Sequence, residues 1–306
     1  MRVFVTGVSG QLGHDVINEV IRCGYEGIGS DIFTEQQYYG ENDACAPYVC
    51  LDITDRKKTE RIVSKINPDV IIHCAAWTNV DLAEEETMHE NVWMNNVGQT
   101  ENLSFVCKKI DCKLIYISTD YVFGESGNKL LKPDCENLKP LNFYGKSKLQ
   151  GEKVVAQSLE KYYIVRTSWM FGINGNNFVN KIIRSTKKHG FVEVVDDQIG
   201  RPTYTVDFAR LLIKMAETEK YGIYHATNEG ENVSRYDFAC EILKQAKLNA
   251  NIIPIKTLPG INKANRPLNG RLDTGKLVEN GFVPMPIWKD ALNRYLYELR
   301  HKNRGL

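Results

Sequence analysis

The stretch MRVFVTGVSGQLGHDVINEVIRCGYEGIGSD, residues 1–31, decides how the remaining chain is read. RVFVT is a short apolar run rich in β-branched residues, the pattern of a strand buried on both faces. TGVSGQLG follows, with Gly7, Gly10 and Gly13 in GxxGxxG spacing, and then a helical pattern in which Leu12, Val16 and Val20 recur every four residues on one face. Gly24 stands where a C-terminal cap belongs, and GIGSD closes a second strand at Asp31. Glycines at a strand-to-helix turn permit tight bending and close backbone approach, and the helix start beyond them offers free N–H groups to a pyrophosphate. A carboxylate ending the second strand can hold the ribose hydroxyls of an adenosine. Gly7, Ser9, Gly10, Gln11, Leu12 and Gly13 are therefore the candidate cradle, and Asp31 the candidate ribose ligand, of a dinucleotide. A plain glycine-rich turn and a solvated loop acid are the other readings, and the βαβ context favours the cradle.

Beyond residue 31 the same texture continues. The runs DVIIHCAA, KLIYIST and YYIVRTS read as strands, and KKTERIVSKI and ENVWMNNVGQTENLSFVCKK read as helices between them. Alternation of this kind predicts an α/β fold: a doubly wound parallel sheet (Rossmann-like) with both faces covered. After Ser168 shorter strands and more loop appear, so a dinucleotide-binding domain over 1–168 and a smaller α/β substrate-binding lobe over 169–306, partly interleaved with the first, are expected. Residues 32–50 read as a polar surface excursion. Asp52, with Ile53 beside it, is a candidate contact for the adenine, or else helps to cap the next helix.

Composition narrows the class of partner. Lys+Arg 39 against Asp+Glu 38 in 306 residues leaves no basic or acidic block, so no nucleic acid and no membrane surface is expected as a partner. The eight cysteines form no CxxC pair and the six histidines are scattered, so no metal site is expected. Reduced thiols and the lack of a signal-peptide pattern before RVFVT point to a cytoplasmic setting.

The chemistry concentrates in LNFYGKSKLQGEK, residues 141–153. On a helix Lys148 shares a face with Tyr144 while Lys146 points away. A cation held near the phenol would lower a pKa that starts near ~10 and bring proton transfer into the physiological range. KLIYISTDYVFG places Ser118 and Thr119 at a strand's carboxyl end, where ligands of open α/β folds bind. Glycine loop, strand-end hydroxyl and YxxxK, in that order, suit hydride transfer to or from a carbon bearing oxygen.

With those residues in view, the chain resembles the extended short-chain dehydrogenase/reductase superfamily and, within it, the dTDP-4-dehydrorhamnose reductase family. The resemblance is carried by TGVSGQLG (6–13), CAAWTNVDLAEEE (74–86), MNNVGQTENL (94–103), STDYVFG (118–124), YGKSK (144–148), RTSWMFG (166–172), DQIGRPTYTVDFA (197–209) and RPLNGRL (266–272). It implies Thr119 as the hydroxyl orienting a sugar ketone, Tyr144 as proton donor, and Lys148 as tuner of that phenol and ligand of the nicotinamide ribose. It implies Ala75, Ala76 and Thr78 along the cofactor cleft and Asn95 as the helix asparagine supporting proton relay. Val80, Tyr121, Trp169, Asn177 and Arg201 fall where similar proteins shape the sugar and nucleotide pocket. Trp169 is equally readable as a packed aromatic, and Arg201 as the partner of Asp196 or Asp197.

The implied activity is NADH- or NADPH-dependent reduction of the 4-keto group of a deoxythymidine-diphospho 6-deoxy sugar to dTDP-L-rhamnose. Asp31 favours NADH on charge, unless an arginine elsewhere offsets it. Tyr121 stands where related dehydratases carry a glutamate, which fits reduction better than elimination. A reductase or epimerase of another nucleotide-linked sugar stays open, as does a non-catalytic NAD(P)-binding regulatory subunit, such as the similar chain that accompanies methionine adenosyltransferase in animals. After Phe123 the chain departs from the family's STDYVFDG, which affects a loop. A homodimer is the assembly considered, without the intersubunit magnesium of some relatives.

Overall fold

A computed structural model describes residues 1–35, 37, 46–258, 260 and 263–301. The central sheet contains β1 (Arg2–Thr6), β2 (Glu26–Asp31), β3 (Tyr48–Cys50), β4 (Val70–His73), β5 (Lys113–Thr119), β6 (Tyr162–Thr167) and a late strand, Gly222–His225. Its order is β3-β2-β1-β4-β5-β6 followed by the late strand, and every neighbouring pair is parallel. Because the chain moves outward from β1 in both directions, the crossovers part between β1 and β4 and open a crevice at the carboxyl edge.

Alternation along each strand explains the two coats of helix. Val3 and Val5 face one side with α1 (Gln11–Arg22), and Phe4 faces the other with α2 (Arg56–Ile66). Leu12, Val16 and Val20 of α1 are buried as their spacing predicts. On the second face lie α3 (His89–Trp93), a single π-turn at Met94–Gly98, α4 (Gln99–Ile110) and α5 (Phe143–Ser158).

The remaining chain builds a second core around Phe171, Phe238, Trp288 and Tyr295. Its parts are β7 (Met170–Phe171), α6 (Phe178–His189), β8 (Phe191–Val195), β9 (Ile199–Gly200), β10 (Thr203–Tyr204), β12 (Val233–Ser234), α8 (Arg235–Ala246) and β13 (Asn251–Ile255). The short α9 (Gly275–Glu279) and α10 (Trp288–His301) complete the described elements. Between them α7 (Thr205–Ala216) returns to the first face, where Phe208, Leu212 and Met215 join the core under α1, and β11, the late strand Gly222–His225, pairs with β6.

The expected excursion over residues 32–50 needs correction at its end: Tyr48 is buried and Tyr48–Cys50 is the sheet's edge strand. Three residues are too few to show periodicity, so pairing with β2 rather than local pattern makes this strand. The rest of that reading, and the thiol of Cys45, fall mostly on residues 36 and 38–45, outside the described residues.

Gly151 sets how closely α5 lies on the sheet. A Cβ there would stand 2.2 Å from the Tyr116 hydroxyl and 2.9 Å from the Asn96 carbonyl, so hydrogen is the only tolerated side chain at this crossing. Replacing Gly151 with Ala is expected to destabilise the fold by about 1–3 kcal/mol through overpacking, despite alanine's better helix propensity. Urea unfolding of the two proteins measures the difference, and equal midpoints would show that α5 has room to move.

Candidate active site

The crevice at the carboxyl edge of the sheet is a cleft of about 670 Å³. Gly7, Ser9, Gly10, Gln11, Leu12, Gly13, Asp31, Asp52, Ile53, Ala75, Ala76, Thr78, Val80, Asn95, Thr119, Tyr121, Tyr144, Lys148 and Trp169 all line it. The glycine loop is closed by contact: a Cβ on Gly13 would sit 2.1 Å from the Gly7 carbonyl, and Gly7 itself has φ +72°. No side chain fills the space before the start of α1, which suits an approaching pyrophosphate. Asp31 accepts the Ser9 N–H at 3.0 Å and the Ile32 N–H at 2.8 Å, so its carboxylate is fixed at the carboxyl end of β2. Asp52 accepts the Thr54 N–H and hydroxyl, and the cap of α2 is instead Asp55, whose carboxylate accepts from Lys58 N. Capping by Asp52 is thereby corrected.

At the other end of the cleft, β5 terminates in Ser118 and Thr119. Ser118 donates to Glu152 at 2.5 Å and so turns away from chemistry. Thr119 accepts the Tyr121 N–H and donates to Asp120, and it lines the cleft with the Tyr144 phenol, whose pKa its hydroxyl pulls down. Asn142 caps α5 by accepting the Gly145 N–H at 2.7 Å, which puts Tyr144 in the first turn and Lys148 one turn on. Lys148 is buried and Lys146 exposed, as the helical spacing requires.

The electrostatics differ from the expectation. Burial raises the Tyr144 phenol above its ordinary value, the Thr119 hydrogen bond only partly countering it and Asp120 and Tyr121 adding to it. Burial likewise brings Lys148 down to about 7, against the pull of Glu152 and Cys74. Lys148 Nζ lies 4.0 Å over the Tyr116 ring, and burial is the largest influence on the phenol. The same dry surroundings that would strengthen the attraction remove much of the lysine's charge first. Asp120, desolvated and only partly offset by Arg235 and Thr119, is raised to about 7, and burial with the nearby Lys148 charge brings His73 down to about 3, a neutral ring between Thr6 and Thr100.

Three expected residues are placed differently. Asn95 lines the cleft, but its amide donates to Asn91 O within its own helix. The buried asparagine is Asn96, which accepts the Trp77 N–H at 2.9 Å and donates to Ser147 at 2.8 Å on α5. The π-turn advances the helix by one residue relative to a regular one, and sequence periodicity does not register it. Asn177 lies outside the cleft lining: it caps α6 and donates to Gln11, Gly172 O and the Tyr295 hydroxyl. Arg201 also lies outside it, donating to Gly230 O and Leu272 O and pairing with Glu229 at 3.5 Å. Asp196 pairs with Lys256, and Asp197 accepts from Thr257. Glu229 reaches Arg201 only because its loop pairs with Ile287, a contact with no local signal.

Besides Asn96, the sequence reading passed over Arg235, which lines the cleft from α8, and Arg166, whose guanidinium grips Glu152 with bonds of 2.8 and 2.7 Å beneath α5. Trp169 lines the cleft at φ +49°, an uncommon backbone for so large a side chain.

A family model described as the RmlD substrate binding domain matches residues 1–301. The dTDP-4-dehydrorhamnose reductase of Aggregatibacter actinomycetemcomitans is 36% identical over 305 residues, covering 95% of this chain and 97% of that protein. Spore coat polysaccharide biosynthesis protein SpsK of Bacillus subtilis is 33% identical over 297 residues, covering 97% of each. Among solved structures, the dTDP-4-dehydrorhamnose reductase of Bacillus anthracis in complex with NADP superposes with a TM-score of 0.85 at 36% identity, covering 97% of this chain and 99% of that one. That of Clostridium acetobutylicum gives 0.88 at 33% identity, covering 98% of this chain and 100% of that one. With a match across nearly its whole length and relatives above 30% identity end to end, the chain belongs to the RmlD substrate binding domain family.

Proposed function

We propose that the protein is an NAD(P)H-dependent oxidoreductase that reduces the 4-keto group of dTDP-4-dehydro-6-deoxy-L-mannose to give dTDP-L-rhamnose. The observation that carries this reading is the convergence of Tyr144, Thr119 and Lys148 in one cleft with the glycine cradle and the fixed carboxylate of Asp31. Relatives named for this reaction support the substrate. The Streptomyces niveus relative, 31% identical and named a dTDP-4-keto-6-deoxy-D-glucose reductase, marks the second reading, in which the sugar differs in configuration.

The cradle of Gly7, Gly10 and Gly13, with Asp31 and Lys148, fits a nicotinamide dinucleotide, which when bound supplies the hydride to the keto carbon. With substrate bound, the Thr119 hydroxyl turns from Asp120 to donate to the ketone oxygen and holds it beside Tyr144. As negative charge grows on that oxygen, the Tyr144 phenol gives up its proton to form the alcohol. A phenol pushed above its ordinary pKa carries its proton at every physiological pH, which suits a donor in the reductive direction. Lys148, as ammonium, donates to the ribose and supports the phenolate left behind. Asn96 positions this group through Ser147, whose hydroxyl also donates to Tyr144 O at 2.7 Å. We place the reaction in the cytoplasm, where thiols such as Cys74 and Cys107 stay reduced. No described helix is long and apolar enough to cross a membrane.

Tyr144→Phe is expected to lower kcat by about 10²–10⁴-fold while cofactor affinity holds, measured by NADPH oxidation and fluorescence titration; near-normal turnover would overturn the mechanism. Because Lys148 loses its proton above about 7, cofactor affinity should be flat below neutrality and fall at least ~10-fold between pH 7 and 9 as the ammonium is lost. Lys148→Met should flatten that profile. Asp31→Ala should shift the ratio of kcat/KM for NADPH over NADH upward by about tenfold, the effect of removing a carboxylate beside a 2′-phosphate. An unchanged ratio would mean that Asp31 does not face the ribose.

A further inference from the structure

Among the described residues Arg235 is a cation with aromatic neighbours but no acidic side chain paired to it. It is the first residue of α8, a helix started by the Ser234 and Asp237 capping box, and its side chain lines the cleft on the side of the second lobe. The guanidinium carbon lies 3.9 Å over the Trp169 ring and 5.0 Å over the Phe178 ring, so two aromatic faces hold the cation in place. Trp169 accepts an unfavourable φ of +49° in this position, and Gly200, where a Cβ would lie 2.9 Å from the indole, leaves room for it. Among the described residues the guanidinium makes no hydrogen bond and no ion pair within 4 Å, although it has five N–H donors to satisfy.

Its surroundings do not supply the missing anion. Asp120 is the acid that feels Arg235, yet Asp120 itself is drawn toward neutrality by burial. A second arginine, Arg266, is close enough to push against Arg235, and although Arg266 is held by Asp81 at 2.6 Å, Lys181 also acts on that carboxylate. A cation on a cleft wall with donors unfilled, and a second cation near it, is costly unless a ligand brings negative charge. The dinucleotide cradle and Asp31 come from the β1–α1 turn and β2, whereas Arg235 stands over Trp169, and Tyr121, whose charge couples to Arg235, meets the Tyr144 ring edge-on at 5.8 Å. In a nucleotide sugar the diphosphate is the anionic group.

We infer that Arg235, held over Trp169 and without a salt bridge among the described residues, is the residue that receives the diphosphate of the nucleotide-sugar substrate and thereby fixes how far the sugar reaches toward Tyr144. The inference rests on the nucleotide-sugar reading above and adds a specificity-determining residue to it. Charge-assisted bonds to phosphate explain why arginine, planar and many-donored, stands here.

The test is calorimetric titration of dTDP, with thymidine as the uncharged comparison, into the NADPH-loaded protein and its Arg235→Ala and Arg235→Lys variants. Expected results are dTDP affinity at least about tenfold weaker in Arg235→Ala, partial recovery in Arg235→Lys, unchanged thymidine affinity and unchanged NADPH affinity, the last reporting that the variants fold. Wild-type affinity for dTDP in Arg235→Ala overturns the inference, as does an equal loss for thymidine, which would make Arg235 a base platform. Loss of NADPH affinity with dTDP binding intact overturns it too, by assigning the cation to the cofactor. A wild-type protein that binds no dTDP overturns the nucleotide-sugar reading itself, and the inference with it.

Discussion

The active site depends on an ion pair that never touches substrate. Glu152 and Arg166 meet in two bonds beneath α5, both side chains nearly inaccessible to water. Glu152 also takes the Ser118 hydroxyl of β5, and Arg166, on β6, donates to Pro133 O. One pair therefore ties the helix carrying Tyr144 and Lys148 to two strands and to the loop before it. A buried pair of this kind gains little over an apolar contact, but removing one partner leaves a stranded charge, so it enforces position more than it adds stability.

On that fixed floor, burial governs the chemistry. It keeps the Tyr144 phenol protonated and weakens the Lys148 charge, leaving a site loaded to give a proton rather than to take one. The arrangement expected from YxxxK spacing had lysine lowering the phenol. Spacing determines which residues share a helix face, whereas the sign of the shift depends on how much water the folded cleft excludes.

Both the earlier and the later part of the chain line the cleft. The glycine cradle and Asp31 come from the first unit of the chain, while Trp169 and Arg235 are brought over the same cleft from the second. Part of the chain after Ser168 returns to the first unit: α7 lies under α1, and β11 extends the sheet beside β6.

Much of this was legible in the sequence because it is local. Apolar alternation, the GxxGxxG turn, Gly24 after α1 and the four-residue step from Tyr144 to Lys148 depend on backbone periodicities that hold wherever the segment sits. The edge strand Tyr48–Cys50, the burial of Asn96 rather than Asn95, the bonds that Asn177 and Arg201 make outside the cleft lining, and the place of Arg235 over Trp169 were decided by the tertiary structure. Each turns on a partner far away in the chain or on a one-residue change of helical phase, and neither distant pairing nor desolvation leaves a mark on the sequence at the residue it controls.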